Sequence, residues 1–191
     1  QNGADIISLS LGGAPGNFPT FLGGSESADA SNNAIEQGIV VIAAAGNDGN
    51  QPGDNDVASP GVEENVICVG GVDVNGNIWE GSSIGDNNGR IWPLPIIAPR
   101  FDPDKKPELV APAEEVPVVI PNGKWGLASG TSAATVYVTA SIALLLEARA
   151  DLKSNGSSGG SVSTIEQIKD WIKDSVKPKE GQSEHDDYYG Y

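Results

Sequence analysis

The sequence predicts an α/β protein: a mostly parallel sheet with helices on both faces, a three-layer α/β/α arrangement. Three observations carry that prediction. Residues 39–45 and 66–72 are unbroken apolar runs of strand length, the mark of strands buried on both faces. Segments with helical spacing alternate with them, which is the pattern of a parallel sheet. At 191 residues the chain is long enough for one domain with a real core and too short for two ordinary ones.

The elements follow in order. Residues 5–11 read as a short strand with Ile7, Leu9 and Leu11 on one side, ended by Gly12-Gly13. Residues 25–37 read as a helix, acidic near its start, with Gly38 as its C-cap. The strand at 39–45 breaks sharply at Gly46-Asn47-Asp48-Gly49. A polar loop leads to the strand at 66–72, and residues 73–107 are irregular and proline-rich. Residues 109–111 form a short strand. Residues 116–120 and 124–128 flank Pro121-Asn122-Gly123, and Asn-Gly is a strong hairpin signal. A helix of small and apolar residues follows Ser132 and runs to about Arg149. Residues 154–161 are a Gly/Ser linker. Residues 163–176 are an amphipathic helix with a Ser163/Glu166 capping box and Ile165, Ile168, Ile172 and Val176 on one face.

The net charge of −15, with a pI near 4.2, leaves no basic stripe to neutralise phosphates, so nucleic acid is not an expected partner. The acidity fits calcium sites, a high-salt habitat or, most simply, solubility. Cys68 is the only cysteine, so no intrachain disulfide forms, and its apolar neighbours make it a buried small hydrophobe. No apolar run is expected to be long enough to span a bilayer, and no signal peptide is expected at Gln1. With no Met anywhere, the chain is expected to be a processed or trimmed product.

Gly130-Thr131-Ser132-Ala133-Ala134-Thr135 places a serine hydroxyl at the start of a buried helix. Backbone N–H groups there are unpaired, and the helix dipole favours developing negative charge. Taken alone, Ser132 reads first as a helix cap, and Asn47 can be read as a turn residue. A serine nucleophile needs a base, and the only histidine is His185, in a polar C-terminal tail that reads as flexible, which makes it a poor candidate. In parallel sheets, function gathers at the carboxyl ends of strands, where Asn47 and Gly12-Gly13 fall. A nucleotide site is excluded on detail: no Gly-Lys-Ser/Thr and no Gly-x-Gly-x-x-Gly accompanies Gly46 and Gly49.

Five segments in order resemble the subtilisin-like serine proteases, the subtilases. Ile7-Ser8-Leu9-Ser10-Leu11-Gly12 resembles their substrate-binding strand, and Val40-Val41-Ile42-Ala43-Ala44-Ala45-Gly46-Asn47-Asp48-Gly49 their oxyanion-hole segment. Ser59-Pro60-Gly61 with Val66-Ile67-Cys68-Val69-Gly70-Gly71-Val72-Asp73 is similar to the segment beneath their primary pocket. Lys106-Pro107-Glu108-Leu109-Val110-Ala111-Pro112 resembles the approach to the nucleophile, and the Ser132 motif resembles the nucleophile itself. Tyr188-Tyr189-Gly190-Tyr191 is similar to the start of the closing segment.

The resemblance implies a serine endopeptidase acting on extended polypeptide. Ser132 would be the nucleophile, and Asn47 would donate its amide to the oxyanion beside the Ser132 N–H. Ser10, Leu11 and Gly12 would pair with substrate backbone. Ala44, Ala45 and Gly46 would wall the primary pocket, with Ala58 and Ser59 at its base, and Ser59-Pro60 would be cis. No cofactor is required for the chemistry. Structural calcium would be held, if anywhere, by Asp54, Asn55 and Asp56, although no Asp-x-Asp-x-Asp-Gly loop with a distal Glu is present. The family's triad runs Asp, His, Ser. Residues 1–191 would therefore be the C-terminal portion of one catalytic domain. The missing upstream half, bearing Asp and His, would be its partner, and the chain alone would be inactive. An extracellular or cell-surface location goes with the family. Two departures motivate an alternative, a non-catalytic scaffold or binding module. Val136-Tyr137 stands where the family has Pro-His, and Ala113 stands where it has Gly, which demands ordinary φ there.

Overall fold

A computed structural model describes residues 3–13, 26–51, 56–85, 87, 100–102 and 104–191. Four strands, β1 (Ile6–Leu9), β2 (Val40–Ala44), β3 (Ile67–Val72) and β4 (Leu109–Pro112), form a parallel sheet in the order β1-β2-β3-β4. The register pairs Ile6 with Val40, Ile42 with Ile67 and Val69 with Leu109. Every residue of β2 is buried, as an unbroken apolar run requires when both faces of a sheet are covered. The covering helices are α1 (Glu26–Glu36), α2 (Thr131–Ala148) and α3 (Val162–Ser175). α2 crosses all four strands, whereas α1 packs on β2 and against α3. Ile35, Val138, Ile142, Ile165 and Ile168 close the core around the sheet.

β1 is shorter than the apolar pattern of residues 5–11 predicts. Past Leu9, which pairs with Ala43, β2 turns to other partners: Ala45 donates to Val69 O at 2.9 Å and accepts from Ala58 N at 2.7 Å. Residues Ser10–Gly12 therefore run on without the β1–β2 ladder. Gly38 ends α1 as expected. Its φ is +70°, and the Gly38 and Ile39 N–H groups donate to Ile35 O and Ala34 O, which terminates the helix by the paired bonds of a Schellman motif. A Cβ on Gly38 would lie 2.3 Å from Gly160 Cα, so the 154–161 segment is packed against the domain.

Three expectations are corrected. The α3 cap is Ser161, whose hydroxyl accepts from Thr164 N–H at 3.3 Å. Val162 is already helical, which puts Ser163 inside the first turn and unable to cap it. α2, at 18 residues with mean hydropathy 1.4, is long and apolar enough to match a short membrane span. It is nonetheless the sheet's central helix, with Ala134, Val138, Ile142 and Leu146 buried. Its outer face leaves Val136 (58 %), Tyr137 (46 %) and Leu144 (67 %) exposed. Third, the stretch carrying His185 is not loose, because the His185 side chain is 1 % exposed.

At the N-terminal end of β3 and β4 lies a buried charge cluster. Lys106 Nζ donates to Glu108 Oε1 at 2.7 Å and to Val66 O at 2.6 Å. Glu108 Oε2 accepts the Cys68 N–H at 2.8 Å. Lys169 of α3 reaches Glu108 Oε1 and Asp104 Oδ1, each at 3.1 Å. Burial pulls Lys106 down to about 8 despite Glu108. Lys169 suffers the same desolvation, but two carboxylates outweigh it and hold its pKa up. Cys68 is fully buried, and that burial pushes its thiol up, which keeps it unreactive.

Candidate active site

The opposite, C-terminal end of the sheet is built from the ends of β1 and β2 and the start of α2. Gly130, with φ +152°, turns the chain into α2, and its N–H donates to Ala113 O at 2.7 Å. Ser132 is thereby the second residue of the helix, in the turn whose N–H groups lack intrahelical acceptors. The only histidine lies elsewhere: His185 Nε2 is 2.8 Å from Pro107 O, just before β4. Pro107 and Ala113 lie at opposite ends of β4, roughly 20 Å apart at strand rise. His185 and Ser132 therefore belong to different ends of the sheet.

Asn47 is placed by Thr131. The Thr131 N–H and hydroxyl both lie 3.0 Å from Asn47 Oδ1. The same hydroxyl faces Gly46 O at 3.1 Å and accepts the Gly46 N–H at 3.2 Å. With Oδ1 committed as acceptor, the amide orientation is determined and Nδ2 faces away from Thr131. Among the described residues Nδ2 has no hydrogen-bond partner. Gly46 is required by its φ of +116°, and a Cβ there would lie 2.6 Å from Ser83 Oγ. Ser83 closes the turn by donating its N–H to Gly46 O and accepting the Asp48 N–H.

The strand extension comes to the same place. Ser10 Oγ donates to Ser132 O at 3.1 Å, and Ser132 Oγ donates to Ser10 O at 3.4 Å. Gly13 and Ser59 form an antiparallel bridge, and a Cβ on Gly12 would lie 2.8 Å from the Ala58 Cβ. Ser10, Leu11 and Gly12 are exposed beside Ser132. Ala44, Ala45, Ala58 and Ser59 are buried at 4, 0, 4 and 8 % exposure, so they back this wall more than they face solvent. The Ser59-Pro60 peptide is cis, as the resemblance implies, and so is Lys106-Pro107, which no sequence signal marks.

Thr131 is the site residue that sequence reasoning does not single out. It is legible only as part of a motif, because its role needs Gly46 and Asn47 brought 84 residues back. The two departures from the family pattern are mild here. Val136 and Tyr137 lie on the outer face of an unbroken α2, and Ala113 is buried with ordinary φ. Of the candidate calcium loop, Asp54 and Asn55 lie outside the described residues. Among the described residues no three acidic, Cys or His side chains converge.

Chemically, the end of the sheet holds a hydroxyl on a helix N-terminus, a fixed amide donor and a solvent-facing strand in one place. Known proteins are similar to this chain. The model of the subtilase family, peptidase S8, matches residues 1–191. Pyrolysin of Pyrococcus furiosus is 36 % identical over 76 % of this chain and 11 % of its own length. Subtilisin DY of Bacillus licheniformis is 33 % identical over 76 % of this chain and 44 % of its own. The major intracellular serine protease of Bacillus subtilis is 34 % identical over 74 % and 36 %. The chain thus spans less than half the length of these relatives. The solved structure of the prenylagaramide maturation protease PagA superposes with a TM-score of 0.64 at 27 % identity, covering 93 % of this chain and 53 % of that one. With an intracellular protease among the relatives, family likeness assigns no compartment.

Proposed function

The chain belongs to the subtilase family, and from that premise we propose that it is the nucleophile-bearing part of a serine endopeptidase. The observation that supports this most is the Thr131–Asn47 lock, which sets an unpartnered amide donor beside the helix start that carries Ser132. Ser132 attacks the scissile carbonyl, and Asn47 Nδ2 with the Ser132 N–H stabilises the oxyanion. Ser10, Leu11 and Gly12 pair with an extended polypeptide substrate, beside a pocket formed by Ala44, Ala45, Gly46, Ala58 and Ser59. The base and its orienting acid come from an upstream half of the same domain, because His185 serves the other end of the sheet. That half would also cover the open edge of β1 and the outer face of α2. No metal takes part in the chemistry. An extracellular or cell-surface location goes with this reading, and fractionation of the source cells tests it.

A second reading, a non-catalytic binding module, draws on the Ser10–Ser132 pair, whose reciprocal bonds occupy the hydroxyl. A fluorophosphonate probe separates the two. Under the peptidase reading it labels Ser132 when the upstream half is supplied and leaves the 191-residue chain almost unlabelled. Strong labelling of the isolated chain sinks the claim that the base lies upstream. No labelling in either form favours the binding module.

A further inference from the structure

The hairpin that delivers the nucleophile carries an apolar face that the catalytic reading does not use. Among the described residues, β5 (Val116–Ile120) and β6 (Lys124–Ala128) pair only with each other. Pro117 stands opposite Leu127 and Val119 opposite Trp125. Directly opposed residues share a face, so these four side chains form one strip. Val119 is 67 % exposed, Trp125 73 % and Leu127 64 %, and Pro117 is exposed as well. The other face is different near the hairpin base, with Val116 only 7 % exposed and Val118, Gly126 and Ala128 half-buried, while Ile120 and Lys124 at its tip are exposed. An uncharged strip of this kind on a chain of net charge −15 points to a contact with something apolar.

Its position says what. The sheet order puts β1 and its extension Ser10–Gly12 on one side of Ser132 and β4 on the other. The hairpin springs from β4 through Ala113, Glu114 and Glu115. Its base is pinned there by the Gly130 N–H to Ala113 O and the Glu115 N–H to Ser129 Oγ, at 2.7 and 3.0 Å. A polypeptide paired with Ser10–Gly12 on the β1 side and crossing Ser132 leaves the site on the hairpin side. We propose that the Pro117–Val119–Trp125–Leu127 strip binds apolar side chains of the substrate on the leaving-group side of the scissile bond, making the hairpin a specificity element. This rests on Ser132 being the nucleophile.

The test uses the full-length protein and internally quenched peptides that differ at one of the first four leaving-side positions, Leu or Asp. Leu is favoured in kcat/KM by about tenfold, the size expected from burying part of one such side chain. In the double variant Trp125→Ser, Leu127→Ser that ratio falls toward one. In Val119→Lys it inverts in favour of Asp, a gain that a merely structural role for the hairpin would not produce. Fluorophosphonate labelling of Ser132 in each variant reports whether the site is assembled. If the unmodified protein is neither labelled nor active, the peptidase reading fails and this proposal with it. If it is labelled and cleaves, but the ratio is flat at all four positions or indifferent to both variants, this proposal alone is overturned. It is also overturned if hydrogen exchange shows residues 117–127 already shielded without peptide, by a second copy or by the protein's own remaining segments.

Discussion

The two ends of one parallel sheet treat polar groups in opposite ways. At the N-terminal end, Lys106, Glu108 and Lys169 are buried and bonded to one another and to backbone. At the C-terminal end, Ser132 and Asn47 are reachable from solvent, uncharged, and only half satisfied. The first arrangement holds the fold, and under the proposed function the second leaves donors aimed at a reacting group. The comparison teaches that stability and chemistry are separable along the strand axis, and mutations can test that separation.

The largest effect is expected at the closed end. Glu108→Ala strands the Lys106 charge and the Cys68 N–H in the interior and leaves Lys169 with Asp104 as its one carboxylate partner among the described residues, at a cost of about 3–5 kcal/mol. Urea denaturation reads this as a lower midpoint at unchanged slope. Ser132→Ala at the open end should shift stability by no more than about 0.5 kcal/mol. A Glu108→Ala protein as stable as its parent would break the comparison.

Next in size, under the proposed peptidase function, is Asn47→Ala in the full-length protein, expected to lower kcat with little effect on KM. The loss should be about 2.7–4 kcal/mol, which is the known figure for the oxyanion-hole asparagine of a subtilisin, a member of the same family. Thr131→Val follows. It keeps the shape of a fully buried side chain but leaves the Gly46 N–H without its acceptor, and should cost about 1–3 kcal/mol in stability. Because Asn47 loses one of two anchors, kcat should fall as well. A Thr131→Val enzyme with unchanged kcat would show that the Thr131 N–H alone holds the amide.

How much of this is legible in the sequence follows the same division. β2 and β3 are readable because burial on both faces leaves an unbroken apolar run, and α1 because Gly38 marks its end. The nearness of Ser132, Asn47 and Ser10 is readable only through motif order, since no local pattern brings residues 84 and 122 positions apart together. Lys169 is not readable at all. It interrupts an isoleucine face at a position where a charge normally points to water, and the carboxylates of Glu108 and Asp104, with the Glu64 carbonyl, make its burial tolerable. Ser163 reads as the cap in place of Ser161 because both offer the same chemistry, and the backbone angles that choose between them are not in the sequence.

The smallest expected effect concerns pH and belongs to His185. Pro107 O is an acceptor, so Nε2 carries the proton of the neutral ring. Nδ1 is then a buried acceptor with no partner, 4.0 Å from Asp187 Oδ1. Burial lowers the His185 pKa, with Lys105 adding to the fall, while the Pro107 bond and the carboxylates of Asp187 and Glu108 oppose it. The Tyr191 ring packs edge-on against the imidazole, at 4.7 Å between centroids. Since the folded pKa lies below the unfolded value near 6.5, the unfolded chain binds more protons as pH falls. The contribution of His185 is whole above about pH 6.5 and is lost as pH falls through the folded value. Urea midpoints at pH 7 and pH 5 should therefore converge more closely in His185→Gln than in the parent, because Gln keeps a donor for Pro107 O and cannot titrate. If instead the difference between the two pH values is as large in the variant, acid sensitivity resides in carboxylates and not in this ring.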